Sequence, residues 1–86
     1  MTKRTEILTE ADNLTHGDRL KDYGTPRESF GVIAKMWSAY LGYEVSPADV
    51  CHLMSLLKIA RLRNGPHMDS SVDTCGYMAL GGELGE

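Results

Sequence analysis

Twice in this chain a hydroxyl residue, a proline and an acid stand in the same order: Thr25-Pro26-Arg27-Glu28 and Ser46-Pro47-Ala48-Asp49. A Thr or Ser side chain at this place accepts from the backbone N–H three residues on, and the acid there reaches back to the hydroxyl residue's own N–H. Proline is pre-set for the first helical turn and has no N–H to leave unsatisfied. Each tetrapeptide therefore marks a helix start.

The apolar spacing extends this reading to the whole chain. Ile7, Leu8, Ala11 and Leu14 recur at helical intervals over 5–15, with acids Glu6, Glu10 and Asp12 opposite and Gly17 to close the end. From Thr25 a stripe of Phe30, Ile33, Ala34, Trp37 and Leu41 predicts a helix over 26–41, ended by Gly42. The next, over 47–63, carries Val50, Leu53, Met54, Leu56, Leu57 and Ala60 on a broad arc and is expected to be central; Asn64-Gly65-Pro66 breaks it. A short fourth helix is expected over 71–80, with Val72, Cys75, Gly76 and Ala79 inside and Gly81-Gly82 beyond its end. Sustained alternation is lacking, so strands have no support. The prediction is an all-α, three- to four-helix compact bundle forming one domain over residues 1–86.

A chain of 86 residues hides only about 60 to 65% of the surface its unfolded form exposes. Association with a second copy is the usual remedy, so a homo-oligomer is expected. A net charge of -3 excludes a general nucleic-acid binder, whose affinity rests on Lys and Arg against phosphates. No run approaches the roughly 18 apolar residues of a membrane span, and the N-terminus lacks a signal's apolar core, which predicts a cytoplasmic protein. Cys51 and Cys75 have no metal spacing and read as small core residues.

Three clusters could carry chemistry. Arg61 falls about 20° from Val50 on a helical wheel, inside the apolar arc, with Lys58 at its edge. Their stems either snorkel to pair with carboxylates near the helix end, or their heads present a cationic site to a phosphate. Asp69 and Asp73 stand one turn apart and suit a hard cation such as Mg2+, which takes oxygen ligands and keeps several waters; equally, Ser70-Ser71-Val72-Asp73 reads as a capping box. The segment Asp18-Arg19-Leu20-Lys21-Asp22-Tyr23-Gly24 crowds charge, an aromatic hydroxyl and a permissive glycine before a helix N-terminus, where anions are favoured. His16, His52 and His67 fit no zinc spacing, and Trp37 and Phe30 read as packing residues.

Gly17-Asp18-Arg19 with Asp22-Tyr23-Gly24, Trp37-Ser38, Asp49-Val50, Lys58-Ile59-Ala60-Arg61-Leu62, His67-Met68-Asp69, Val72-Asp73 and Gly76-Tyr77 together resemble an uncharacterised family of small bacteriophage and prophage helical proteins, from about Ile7 to Leu80. More distantly the order resembles phage domains associated with nucleotide modification and the MazG-like nucleoside triphosphate pyrophosphohydrolases. That resemblance implies magnesium held by acids on neighbouring helices and hydrolysis between the α and β phosphates. The Glu-x-x-Glu motif of those enzymes is missing here, since Glu28 stands alone in its helix.

The first functional expectation is thus a phage protein that binds nucleotide phosphates. Asp69 and Asp73, with Glu28 or Asp49, hold Mg2+; Lys58, Arg61 and Arg19 neutralise phosphate; Tyr23 and Gly24 meet the remainder of the ligand. Whether it turns the nucleotide over is open. The alternatives are a non-enzymatic oligomeric binding module, either a nucleotide sponge or a host- or phage-protein interactor, and a virion assembly factor.

Overall fold

The computed structural model describes residues 2–17, 22 and 24–85. They form α1 (Lys3–Thr15), α2 (Pro26–Leu41), α3 (Pro47–Ala60), one 3-10 turn (Arg61–Asn64) and α4 (Met68–Leu84). Among the described residues there is no strand, so the all-α bundle expected from the pattern is what forms.

Both proline-marked starts are built as the sequence specifies. Thr25 Oγ1 accepts from the Glu28 N–H at 3.2 Å and Glu28 Oε1 accepts from the Thr25 N–H at 3.4 Å. Ser46 Oγ accepts from the Asp49 N–H at 3.0 Å, and Asp49 Oδ2 returns the bond to the Ser46 N–H at 3.0 Å. Gly42, at φ 67°, closes α2 with its N–H on the Ser38 carbonyl, a left-handed position that costs glycine little.

The other boundaries differ from expectation. α1 starts earlier, at Lys3, because Thr2 caps it through the Thr5 N–H. α3 ends as an α-helix at Ala60, and 61–64 tighten into the 3-10 turn. α4 is longer at both ends than the expected 71–80. Its N-cap is His67, whose Nδ1 accepts from the Ser70 N–H at 3.2 Å, rather than Ser70 in a box with Asp73. Gly81 and Gly82 lie inside α4 because that helix is held by packing: Gly81 sits so close to α3 that an added Cβ would come 3.0 Å from Cys51 Cβ and 3.1 Å from the His52 ring. Tertiary packing outweighs the intrinsic cost of about 1 kcal/mol for glycine in a helix.

α3 and α4 run antiparallel, with Cys51 and His52 beside Gly81 at one end and Lys58 beside Asp73 at the other. α1 runs parallel to α4: the Lys3 ammonium lies 3.8 Å from Met68 Sδ, and Gly76 faces the Thr15 methyl. The core is Phe30, Ala34, Val45, Val50, Cys51 and Leu80, flanked by Ile33, Trp37, Met54, Tyr77 and Leu84. Phe30 meets Tyr77 edge-on, with ring centroids 6.2 Å apart at 80°.

The expected inner faces are only partly inside. On α3, Val50, Cys51 and Ser55 are buried, while Leu53, Leu56 and Leu57 are exposed. On α2 Leu41 is exposed, as are Val32, Met36 and Tyr40; on α1 only Ala11 is buried, and Leu8 and Leu14 are exposed. On α4 Leu80 and Gly81 join Val72 and Gly76 inside, while Ala79 is exposed and Cys75 half-buried. Cys51 is buried and no disulfide forms among the described residues.

Candidate functional site

The last turn of α1 and the middle of α4 enclose a groove of about 400 Å3. α1 supplies Asn13, Leu14, Thr15 and His16; α4 supplies Val72, Asp73, Gly76, Tyr77 and Leu80; Asp22 also lines it. The α1 wall is fixed by its own end: the Thr15 hydroxyl donates to the Asp12 carbonyl at 2.8 Å, and His16 Nδ1 lies 2.9 Å from the same oxygen. Gly76 makes room for that wall, since its Cβ position stands 3.5 Å from the Thr15 methyl. A second hollow of about 320 Å3 shares Thr15, His16 and Leu80 and adds Asp12 and Glu83.

Behind the groove, Lys58 of α3 reaches Asp73 of α4, with Nζ 2.9 Å from Oδ2. The two side chains are 16% and 31% exposed, so this ion pair is less screened than one at the open surface. It ties α3 to α4 and leaves Asp73 in contact with the groove on the other side. The groove presents oxygen donors, Asp73 and Asp22, beside an imidazole and a phenol, with one ammonium behind them. Such a set suits a hard cation better than a bare anion, because carboxylate oxygens are that cation's preferred ligands and repel an unaccompanied phosphate.

The structure therefore brings Lys58 and Asp73 together. Asp69 lies exposed one turn earlier on α4, and Arg61 is exposed at the C-cap of α3. Glu28 and Asp49 are engaged as N-terminal caps. The Ser46 backbone N–H first, and the Ser46 hydroxyl second, hold the Asp49 carboxyl below the ordinary aspartate value, with a smaller contribution from His52. Gly24, at φ 78°, stands against the Glu28 carboxylate, 3.5 Å from an added Cβ. Arg19 and Tyr23 lie outside the described residues. Among the described residues no three His, Cys, Asp or Glu side chains gather as they would around a metal ion. The sequence reading placed Asp22 in the charged cluster before α2, gave His16 no role of its own, and missed Tyr77 as a lining residue. The Asp73-to-Tyr77 interval of one helical turn was the available signal.

A family model described as a domain of unknown function, DUF6378, matches residues 6–85. The chain belongs to the DUF6378 family. Two curated relatives are both called Gene 55 protein. That of Mycobacterium phage D29 is 53% identical over 72 residues, covering 83% of this chain and 48% of the relative. That of Mycobacterium phage L5 is 48% identical over 76 residues, covering 86% and 49%. This DUF6378 chain thus spans about half the length of the curated relatives it matches, and the similarity to bacteriophage proteins expected from its motifs holds over nearly all of it. No solved structure matches it. Among the described residues of this DUF6378 domain, no helix is long and apolar enough to cross a membrane.

Proposed function

We propose that the α1–α4 groove binds a nucleotide through its phosphates, with Mg2+ as the bridge, so that the chain handles nucleotides for a phage. The observation that carries this reading is the half-buried Lys58–Asp73 pair behind a groove that Asp22 and His16 also line. Asp73 and Asp22, with Asp69 near the N-terminus of α4, are the carboxylates suited to hold the cation. Magnesium needs only one or two of them when waters and substrate phosphates complete its shell, which fits a site without three gathered metal ligands. Lys58 offsets phosphate charge from behind, and Arg19 and Lys21 stand close to Asp22 in sequence. Tyr77, partly buried against Phe30, offers a ring face and a hydroxyl to the base or sugar. Bound there, magnesium would polarise a phosphate and acidify a water, the requirement for hydrolysing a phosphoanhydride in the manner of the MazG-like enzymes.

The test is a thermal-shift screen against nucleoside mono-, di- and triphosphates with and without Mg2+. A ligand at 100 times its Kd stabilises the fold by about 2.7 kcal/mol, an upward shift of about 10–20 °C for a domain of this size. The shift should require magnesium and vanish in Asp73→Asn, while Lys58→Met, which removes the same ion pair without removing the carboxylate, keeps part of it. An equal shift in Asp73→Asn overturns the assignment of this carboxylate; no shift with any nucleotide class moves the function to protein binding.

A further inference from the structure

The outward side of α3 carries an apolar stripe whose two ends bear opposite charges. At 100° per residue, Asp49, Leu53, Leu56, Leu57 and Ala60 fall within an arc of about 100°, turned away from the buried Cys51 and Ser55 and bordered on one edge by the buried Val50. All five are exposed, the three leucines by 44, 61 and 54%. Because residues three apart eclipse one another in a 3-10 turn, Arg63 continues the line through Ala60 beyond the helix end, and it too is exposed. Among the described residues no acid pairs with Arg63, and the cap uses Oδ2 of Asp49, leaving Oδ1 for another donor.

Read from either end, the stripe runs from a charge through one apolar residue, Leu53 from one end and the smaller Ala60 from the other, to the Leu56–Leu57 centre. The terminal charges are opposite in sign. A surface of this kind is complementary to itself when turned end for end, which is the requirement of a two-fold interface. We infer that this face pairs with the same face of a second copy, α3 against α3 in antiparallel, with the axis passing by Leu56 and Leu57 and Asp49 of each copy meeting Arg63 of the other.

The area agrees. The chain exposes 6175 Å2, against about 5,000 Å2 for a folded monomer of its 9.5 kDa mass. The surplus of roughly 1,000 Å2, taken over the whole chain and shared by the exposed apolar residues of α1, α2 and α3, is of the order that each partner hides in a stable interface, about 800 Å2. The opposite charges of Asp49 and Arg63 at its two ends are what a second copy, turned end for end, pairs with at both ends. This inference is independent of the nucleotide groove, which lies between α1 and α4.

Light scattering coupled to size-exclusion chromatography of the 86-residue chain at about 50 μM decides it, with far-ultraviolet circular dichroism to confirm the fold. The wild type should run at twice its 9.5 kDa mass. Leu56→Asp should run as a folded monomer. Asp49→Arg and Arg63→Asp should each weaken self-association at least tenfold, because each places like charges at both ends of the pair, while an equimolar mixture of the two restores opposite charges at both ends and should dimerise as tightly as the wild type. Since Asp49 also caps α3, its variant is the one that could fail to fold; Leu56→Asp and Arg63→Asp then decide alone. A monomeric wild type, a dimer indifferent to Leu56→Asp, or a mixture of folded variants no tighter than its components overturns the inference.

Discussion

On α3 the buried residues are Val50, Cys51 and Ser55, and the exposed apolar residues include Leu53, Leu56 and Leu57. The larger apolar residues are outside and the smaller ones inside. The difference lies in how closely the two helices approach. Gly81 on α4, against Cys51 on α3, leaves little between the backbones, and interaxial distance follows the size of the side chains at the contact. The Ser55 hydroxyl is satisfied within its own helix by the Cys51 carbonyl at 3.0 Å, so its burial leaves no polar group unpaired. Bulk is delivered to this small-residue face from α2, by Phe30.

The comparison can be broken first at Phe30. It is 1% exposed, and Phe30→Ala should cost about 3–5 kcal/mol in denaturant unfolding; a loss below 1 kcal/mol would mean that the α3 inner face is not packed by α2. Next, the closeness of α3 and α4 is tested by comparing two glycines. Gly81→Ala would put a methyl 3.0 Å from the backbone-fixed Cys51 Cβ and should destabilise by about 1–3 kcal/mol. Gly76→Ala meets only ordinary contact at 3.5 Å and should be neutral or stabilising by up to about 1 kcal/mol. Equal effects would place the tight contact elsewhere.

The smallest effect belongs to the exposed end of α3. Because the folded-state pKa of Asp49 is depressed, its contribution is fully present above the unfolded value of about 3.9 and is lost as pH falls from there through the lower folded value. Thermal melts of the wild type and Asp49→Asn should therefore differ at neutral pH and converge on acidification below about pH 4. A constant gap down to pH 2 would show that the carboxylate charge does not matter to the cap.

How much of this was legible depends on whether a signal is local. Thr25-Pro26 and Ser46-Pro47 act within one turn, and the structure repeats them without change. His67 also acts within one turn, but an imidazole is not a common N-cap, and the neighbouring Ser70 and Asp73 offered a more familiar pattern. The orientation of α3 was not legible, because periodicity gives the existence of an apolar face and not which neighbour covers it. Lys58 and Asp73 were each recognisable as functional candidates, yet their pairing depends on two antiparallel helices and no interval in the sequence encodes it. Asp22 and His16 enter the groove for the same reason.

Ser38 bears on a different matter, the order in which the chain assembles. Its hydroxyl donates to the Ala34 carbonyl at 2.7 Å and accepts from the Val45 N–H at 2.8 Å, so that one side chain holds the end of α2 and the strand-like entry to α3. Closing a loop this short costs little chain entropy, whereas docking α1 on α4 brings together residues some sixty positions apart, such as Lys3 and Met68. Early structure in folding should therefore gather around the α2–α3 hairpin, and the wall that α1 contributes to the groove should be the last part of the molecule to form and the first to open.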